Sequence, residues 1–86
     1  MKCKTLKVVP EKRFAIEIAE DTGTPCISIP VRNPYIEYEE FYGISQEELE
    51  TFMADPDAAL PLVERCRKRK EDHRLLEPPA PLRGYP

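Results

Sequence analysis

Three short runs of alternating apolar residues, separated by two turn signals, confine the first third of this 86-residue chain to an antiparallel sheet. Leu6 and Val8, then Phe14, Ile16 and Ile18, then Ile27, Ile29 and Val31 recur with the period of two that a half-buried strand imposes. Between the runs fall Pro10-Glu11-Lys12 and Asp21-Thr22-Gly23-Thr24. Proline presets φ and Gly23 can adopt the positive φ of a hairpin loop, so both gaps read as turns. A one-residue slip would throw a whole strand's side chains to the wrong face, so a single register has to serve all three runs. With these loops Val8 faces Phe14 and Leu6 faces Ile16, while Ile18 faces Ile27, Ile16 faces Ile29 and Phe14 faces Val31. The pattern predicts a three-stranded antiparallel meander.

The same register sets Cys3 and Cys26 on either side of Ala19, on the opposite face. Two strand spacings, roughly 9 to 10 Å, exceed the roughly 7 Å Cα limit of a disulfide, so a Cys3–Cys26 bridge is not expected. The third cysteine, Cys66, leaves an odd count with no zinc-ribbon or knuckle spacing. Reduced, structural thiols follow, and with them a cytoplasmic setting.

Residues 33 to 44 admit two readings. Asn33-Pro34 can open a helix that Gly43 closes, or form a turn before a fourth strand. Ile36, Tyr38, Tyr42 and Ile44 alternate with Glu37, Glu39, Phe41 and Gly43, broken only by Glu40, and the aromatic content favours an edge strand guarded by outward glutamates. Ser45-Gln46-Glu47-Glu48 is a capping box, with Ser45 as N-cap and Glu48 reaching back. The helix it opens, to about Ala54, puts Leu49, Phe52 and Met53 on one face. A second helix starts at Pro56 or Pro61 and runs to about Leu75, with Leu60, Val63 and Cys66 or Arg67 as its apolar stripe and a charged second half in solvent.

Four prolines among the last nine residues forbid further helix and predict an extended or disordered, solvated tail over 77–86. The expected architecture is α+β: a three- or four-stranded antiparallel meander over about residues 3–44, then a short and a longer helix packed on one face. Residues 1–76 form the single domain.

Composition narrows the function classes. A 41% hydrophobic content supports a small core, 34% charged residues describe a well-charged surface, and no apolar run approaches the roughly 18 residues of a membrane span. Lys2, Lys4 and Lys7 are not followed by a signal-peptide apolar stretch. The chain carries no phosphate-binding glycine loop, no G-x-S-x-G, no C-x-x-C and no H-E-x-x-H. Its one histidine, His73, lies about 10 Å along a helix axis from Cys66, too far to share a metal. No catalytic residue, metal ligand or cofactor is assigned, and an uncharacterised small enzyme is the last-ranked reading.

Charge distribution points to recognition. Between Glu37 and Asp57 stand eight acidic residues and no Lys or Arg, and Arg65, Arg67, Lys68, Arg69 and Lys70 follow within six positions. The acidic stretch also holds aromatics, and aromatic anchors with a single-sign rim are what a protein interface uses. Tyr35, Glu37, Tyr38, Glu39, Glu40, Phe41 and Tyr42 are therefore the candidate surface for a basic protein partner, in an inhibitor, immunity-type or adaptor role. The alternative is nucleic-acid binding by Arg65, Arg67, Lys68, Arg69, Lys70 and Arg74. Flanking Glu64, Glu71 and Asp72, a net charge of −3 and the lack of interleaved aromatics count against it, and an Arg67–Glu71 pair would explain part of the block. A homodimer through an edge strand or through the opposite charges of two copies is a further reading, and the Pro78-Pro79-Ala80-Pro81 spacing suits a groove-binding ligand.

Overall fold

The computed structural model describes residues 2–86; Met1, counted in the expected 1–76 domain, lies outside them. Four strands, β1 (Cys3–Val9), β2 (Phe14–Ala19), β3 (Pro25–Arg32) and β4 (Glu37–Gly43), form one antiparallel sheet in sequence order. Two helices follow, α1 (Gln46–Ala54) and α2 (Leu60–Arg67), the second entered through a 3-10 turn at Pro56–Ala59. The fold is the α+β meander with both helices on one face, and the segment after Asn33 is the fourth strand. Among the described residues no helix is long and apolar enough to cross a membrane.

Two registers differ from the sequence expectation, each for a physical reason. In β2–β3, Ile16 pairs with Ile27 and Ile18 with Pro25, a slip of two residues. The loop closes one residue earlier on the β2 side, with Ala19 N–H donating to Thr24 C=O and Gly23 at φ +72 donating to Ala19 C=O. A slip of two leaves every side chain on its face, so the hydrophobic pattern cannot report it. In β1–β2 the predicted register holds from Cys3 to Thr5, and then a bulge at Leu6 advances the strand by one. Val9 rather than Val8 therefore meets Phe14 and is buried, while Val8 is 58% exposed. The turn at Pro10–Lys12 ends with Arg13 in the left-handed region at φ 57, which takes up one residue more than the short loop expected.

The core lies between the sheet and the helices. Phe14, Ile16, Ile27, Ile29, Val31 and Tyr42 meet Leu49, Phe52, Ala59, Leu62, Val63 and Cys66. Met53, expected inside, is exposed, and Leu62 joins the α2 stripe in place of Arg67. The capping box forms as read: Ser45 N–H donates to Glu48 Oε1 at 2.8 Å, and Glu48 N–H to Ser45 Oγ at 3.1 Å. Asn33 builds the β3–β4 turn, its Oδ1 accepting from the N–H groups of Tyr35 and Ile36.

Beyond α2 the chain departs from expectation. The helix ends at Arg67, and Arg69 at φ 60 turns the chain back well before Leu75. Leu76 N–H then donates to Phe41 C=O on the outer edge of β4. The last residues of the proline-rich tail return to the sheet instead of standing in solvent: Arg32 and Tyr85 exchange both main-chain hydrogen bonds at 2.9 Å. A Cβ on Gly84 would lie 2.5 Å from the Arg32 carbonyl carbon, so this approach is open only to glycine.

The bulge gives the two adjacent valines opposite fates. Val9→Ala should lower the urea-unfolding free energy by about 2 kcal/mol through the cavity it leaves, and Val8→Ala by about 0.5 kcal/mol or less. Equal losses would place the bulge elsewhere.

Candidate functional site

Strand geometry divides the acidic, aromatic segment. Successive β4 side chains point to opposite faces, so Tyr38, Glu40 and Tyr42 face the helical layer while Glu37, Glu39 and Phe41 face away from it. Tyr42 is fully buried and Glu40 is 7% exposed. Of the seven residues proposed as one surface, Glu37, Glu39 and the half-buried Phe41 share the outer face, and Tyr35, 85% exposed, stands at the turn beside them.

Glu40 belongs to an internal network. Arg83 Nε and Nη2 donate to its two carboxylate oxygens at 2.8 and 3.1 Å, and the same guanidinium grips Asp72 at 2.7 and 2.9 Å. The Tyr42 hydroxyl donates to Glu40 at 2.8 Å and accepts from Arg83 Nη2 at 3.3 Å. Burial, then the Glu40 carboxylate, push the Tyr42 phenol up, and Asp72 and Glu40 raise Arg83. Next to this cluster Gly84 N–H donates to the Tyr38 hydroxyl at 2.7 Å.

The basic residues are equally committed. Arg65 donates to Glu71 at 3.1 Å. Arg67, expected to pair with Glu71, instead holds Glu64 and the carbonyls of Lys12 and Arg13. Arg69 donates to Gly84 C=O at 2.9 Å and lies 4.7 Å from the centre of the Tyr85 ring. Arg74 bridges Glu71, Glu48 and Gly43 C=O. Early termination of α2 thus scatters the six cations, and four of them bind the chain's own acids and carbonyls. His73 is exposed, 3.7 Å from Glu71.

The sheet face away from the helices carries a cleft that the sequence reading missed. It has a volume of about 330 Å³ and is lined by Thr5, Val8, Arg13, Phe14, Pro30 and by three carboxylates, Glu17, Glu37 and Glu39. Glu17 is 7% exposed and accepts from Thr5 Oγ1 at 3.2 Å and from Ser28 Oγ. Hydroxyl donors satisfy its oxygens; among the described residues no cation pairs with it. The signal was present in the strand parity, since Glu17 alternates with Ile16 and Ile18 and so points away from the core with the Thr5 and Ser28 hydroxyls as neighbours. Further along this face Cys26 lies opposite Glu17 rather than Ala19, and Cys3 and Cys26 remain unbridged. Burial first, then the neighbouring Cys3 and Glu17, push the Cys26 thiol up to about 12, so it stays protonated. Among the described residues no group of three or more His, Cys, Asp or Glu side chains is arranged to hold a metal ion.

No known protein family, characterised protein or solved structure shows significant similarity to this chain.

The ion pairs carry a pH signature with a definite sign. Arg83 beside Asp72, and Arg74 beside Glu71, hold those carboxyls below their ordinary values. For Glu48 burial works upward, but the Ser45 N–H and Arg74 outweigh it and lower it too. The folded state therefore binds fewer protons than the unfolded chain as the medium acidifies. The stabilisation is complete above the ordinary values of 4.5 and 3.8 and drains away as pH falls through the depressed ones. Chemical denaturation against pH should show a plateau near neutrality and a fall below about pH 4.5. Arg83→Gln should cost about 3 kcal/mol at pH 7, because Glu40 stays buried without its cation, and should make the acid limb shallower by the Asp72 contribution. An unchanged midpoint in that variant would show that Arg83 does not hold the tail.

Proposed function

We propose that this protein is a small interaction module that binds a basic segment of a partner protein on the outer, acidic face of its sheet. The observation that carries this reading is the uncovered cleft, where Glu17, Glu37 and Glu39 converge and Arg13 is the one cation in the lining. By contrast, Glu40, Glu48, Glu71 and Asp72 each hold an arginine. A basic group entering the cleft would meet three carboxyl groups against one arginine, an excess that favours a cationic guest. Tyr35 at the β3–β4 turn and Phe41 on the same sheet face add the aromatic surface that interfaces enrich. Recognition of this kind fits an inhibitor, immunity-type or adaptor role, and three unbridged thiols suit the reducing cytoplasm.

Residue choice follows from the parity of β4. Glu37→Lys with Glu39→Lys should weaken capture of a basic partner at least tenfold at low salt, with the midpoint of urea unfolding unchanged within error. Glu40→Lys, by contrast, should unfold the domain, since it sets a second cation against Arg83 in a buried site. Undiminished capture by the double variant would remove this face as the binding surface.

A further inference from the structure

We infer that the partner segment docks as an added strand on the outer edge of β4 at residues 37–39, with basic residues at alternate positions and an apolar residue between them. This rests on the acidic-face reading above and specifies how that face is reached.

Main-chain hydrogen bonding decides which groups of β4 face outward. Antiparallel strands alternate between residue pairs that exchange both hydrogen bonds and pairs that exchange none. Ile44 N–H donates to Pro25 C=O and Asn33 N–H to Ile36 C=O, which fixes the alternation at the two ends of the β3–β4 ladder. Residues 38, 40 and 42 therefore bond to β3, and residues 37, 39, 41 and 43 turn their N–H and C=O groups outward. Pro30, which has no N–H to give, falls opposite Glu39, at a position where β3 has no bond to make to β4.

The outward groups of β4 are only half used. Phe41 C=O accepts from Leu76 N–H at 3.0 Å and Gly43 C=O from Arg74 Nη1 at 3.1 Å, and Leu75 bridges antiparallel to Tyr42. Among the described residues nothing bonds to the main chain of Glu37 or Glu39. The edge thus already accepts an antiparallel segment at one end and presents two unpaired N–H and two unpaired C=O groups at the other, the arrangement by which strand addition recognises a peptide.

Side chains on this edge select the occupant. A residue paired with Glu37 or Glu39 projects to the same face as that glutamate, with Cα atoms about 5.5 Å apart, so Lys or Arg is favoured there and Asp or Glu repelled. The residue between them points to the other face, where Tyr38, Leu75, Pro78, Pro79 and Ala80, with Glu39, Glu40 and Glu77 at the same cleft, leave about 180 Å³ whose ring and proline surfaces take an apolar side chain. Basic–apolar–basic in an extended chain is the resulting signature. A second copy's β4 would oppose glutamate to glutamate, which excludes pairing of like edges.

The test uses the full chain and a fluorescent nine-residue peptide with a Lys-Leu-Lys-Leu-Lys centre, read by anisotropy at low salt. Its comparison peptide carries N-methyl groups on the lysine amides, which retains every charge and side chain but blocks strand pairing. Strand addition predicts binding of the parent, at least tenfold weaker binding of the methylated peptide, and slowed hydrogen exchange at the Glu37 and Glu39 amides. Equal affinities with unchanged exchange, both abolished by Glu37→Lys with Glu39→Lys, would overturn strand addition and leave the acidic-face reading standing. Failure of both peptides to bind would overturn both readings. Sedimentation of the protein alone as oligomers that the same double variant dissolves would assign the edge to a second copy and overturn the peptide proposal.

Discussion

A buried carboxylate in a small domain has to be met by a cation, and here the cation comes from 43 residues away. Glu40 points from β4 into the helical side of the sheet, where an unpaired charge would cost several kcal/mol. Arg83 meets it, and in doing so brings the end of the chain across the structure. Gly84 then lies against Arg32, Tyr85 pairs with the end of β3, and Arg69 stacks on the Tyr85 ring. The same guanidinium fixes Asp72 and so the 3-10 turn at Asp72–Arg74 that follows α2. One guanidinium thereby ties the turn after α2 and the end of the tail to the sheet.

That pairing changes how the charge map is to be read. In the linear sequence the acidic and basic blocks look like two surfaces for two classes of partner. In three dimensions members of both blocks are taken up by neighbours outside them: Glu40 holds Arg83, Glu48 holds Arg74, Arg65 holds Glu71 and Arg67 holds Glu64. Charge left over after internal pairing is the better indicator of recognition, and on the outer sheet face that remainder is Glu17, Glu37 and Glu39.

How much of this could be read in advance depended on the range of the forces involved. The strands, the faces of Phe14, Ile16, Ile27, Ile29 and Val31, and the Ser45–Glu48 box are local, and alternation or spacing displays them directly. A two-residue slip between β2 and β3 is invisible to a pattern of period two. The bulge at Leu6 depends on the number of residues taken up by the Pro10–Lys12 turn, which composition does not state. Arg69 in the left-handed region has no glycine to announce it, and the docked tail depends on contacts across the whole chain. The candidate surface was partly legible: once residues 37–43 are a strand, parity alone separates Glu37 and Glu39 from Glu40, and Glu40 was the residue that broke the alternation. The same parity places Glu17 on the outer face, but Glu17 stands outside the acidic run of residues 37–57.

The docked tail also sets the order in which the molecule comes together. Each strand pairs with its neighbour in sequence across a short loop, so the sheet closes small loops at little entropic cost, whereas Arg83 and Tyr85 must close loops of some forty to fifty residues. The meander can therefore assemble first and the tail clasp it last, and on the reverse path the tail is the first unit to open. Residues 75–80, which flank the β4 edge, join that late layer to the sheet through the Tyr42–Leu75 bridge and the Leu76–Phe41 hydrogen bond. The margin of the proposed docking edge is thus laid down last, against a sheet whose own pairing is already complete.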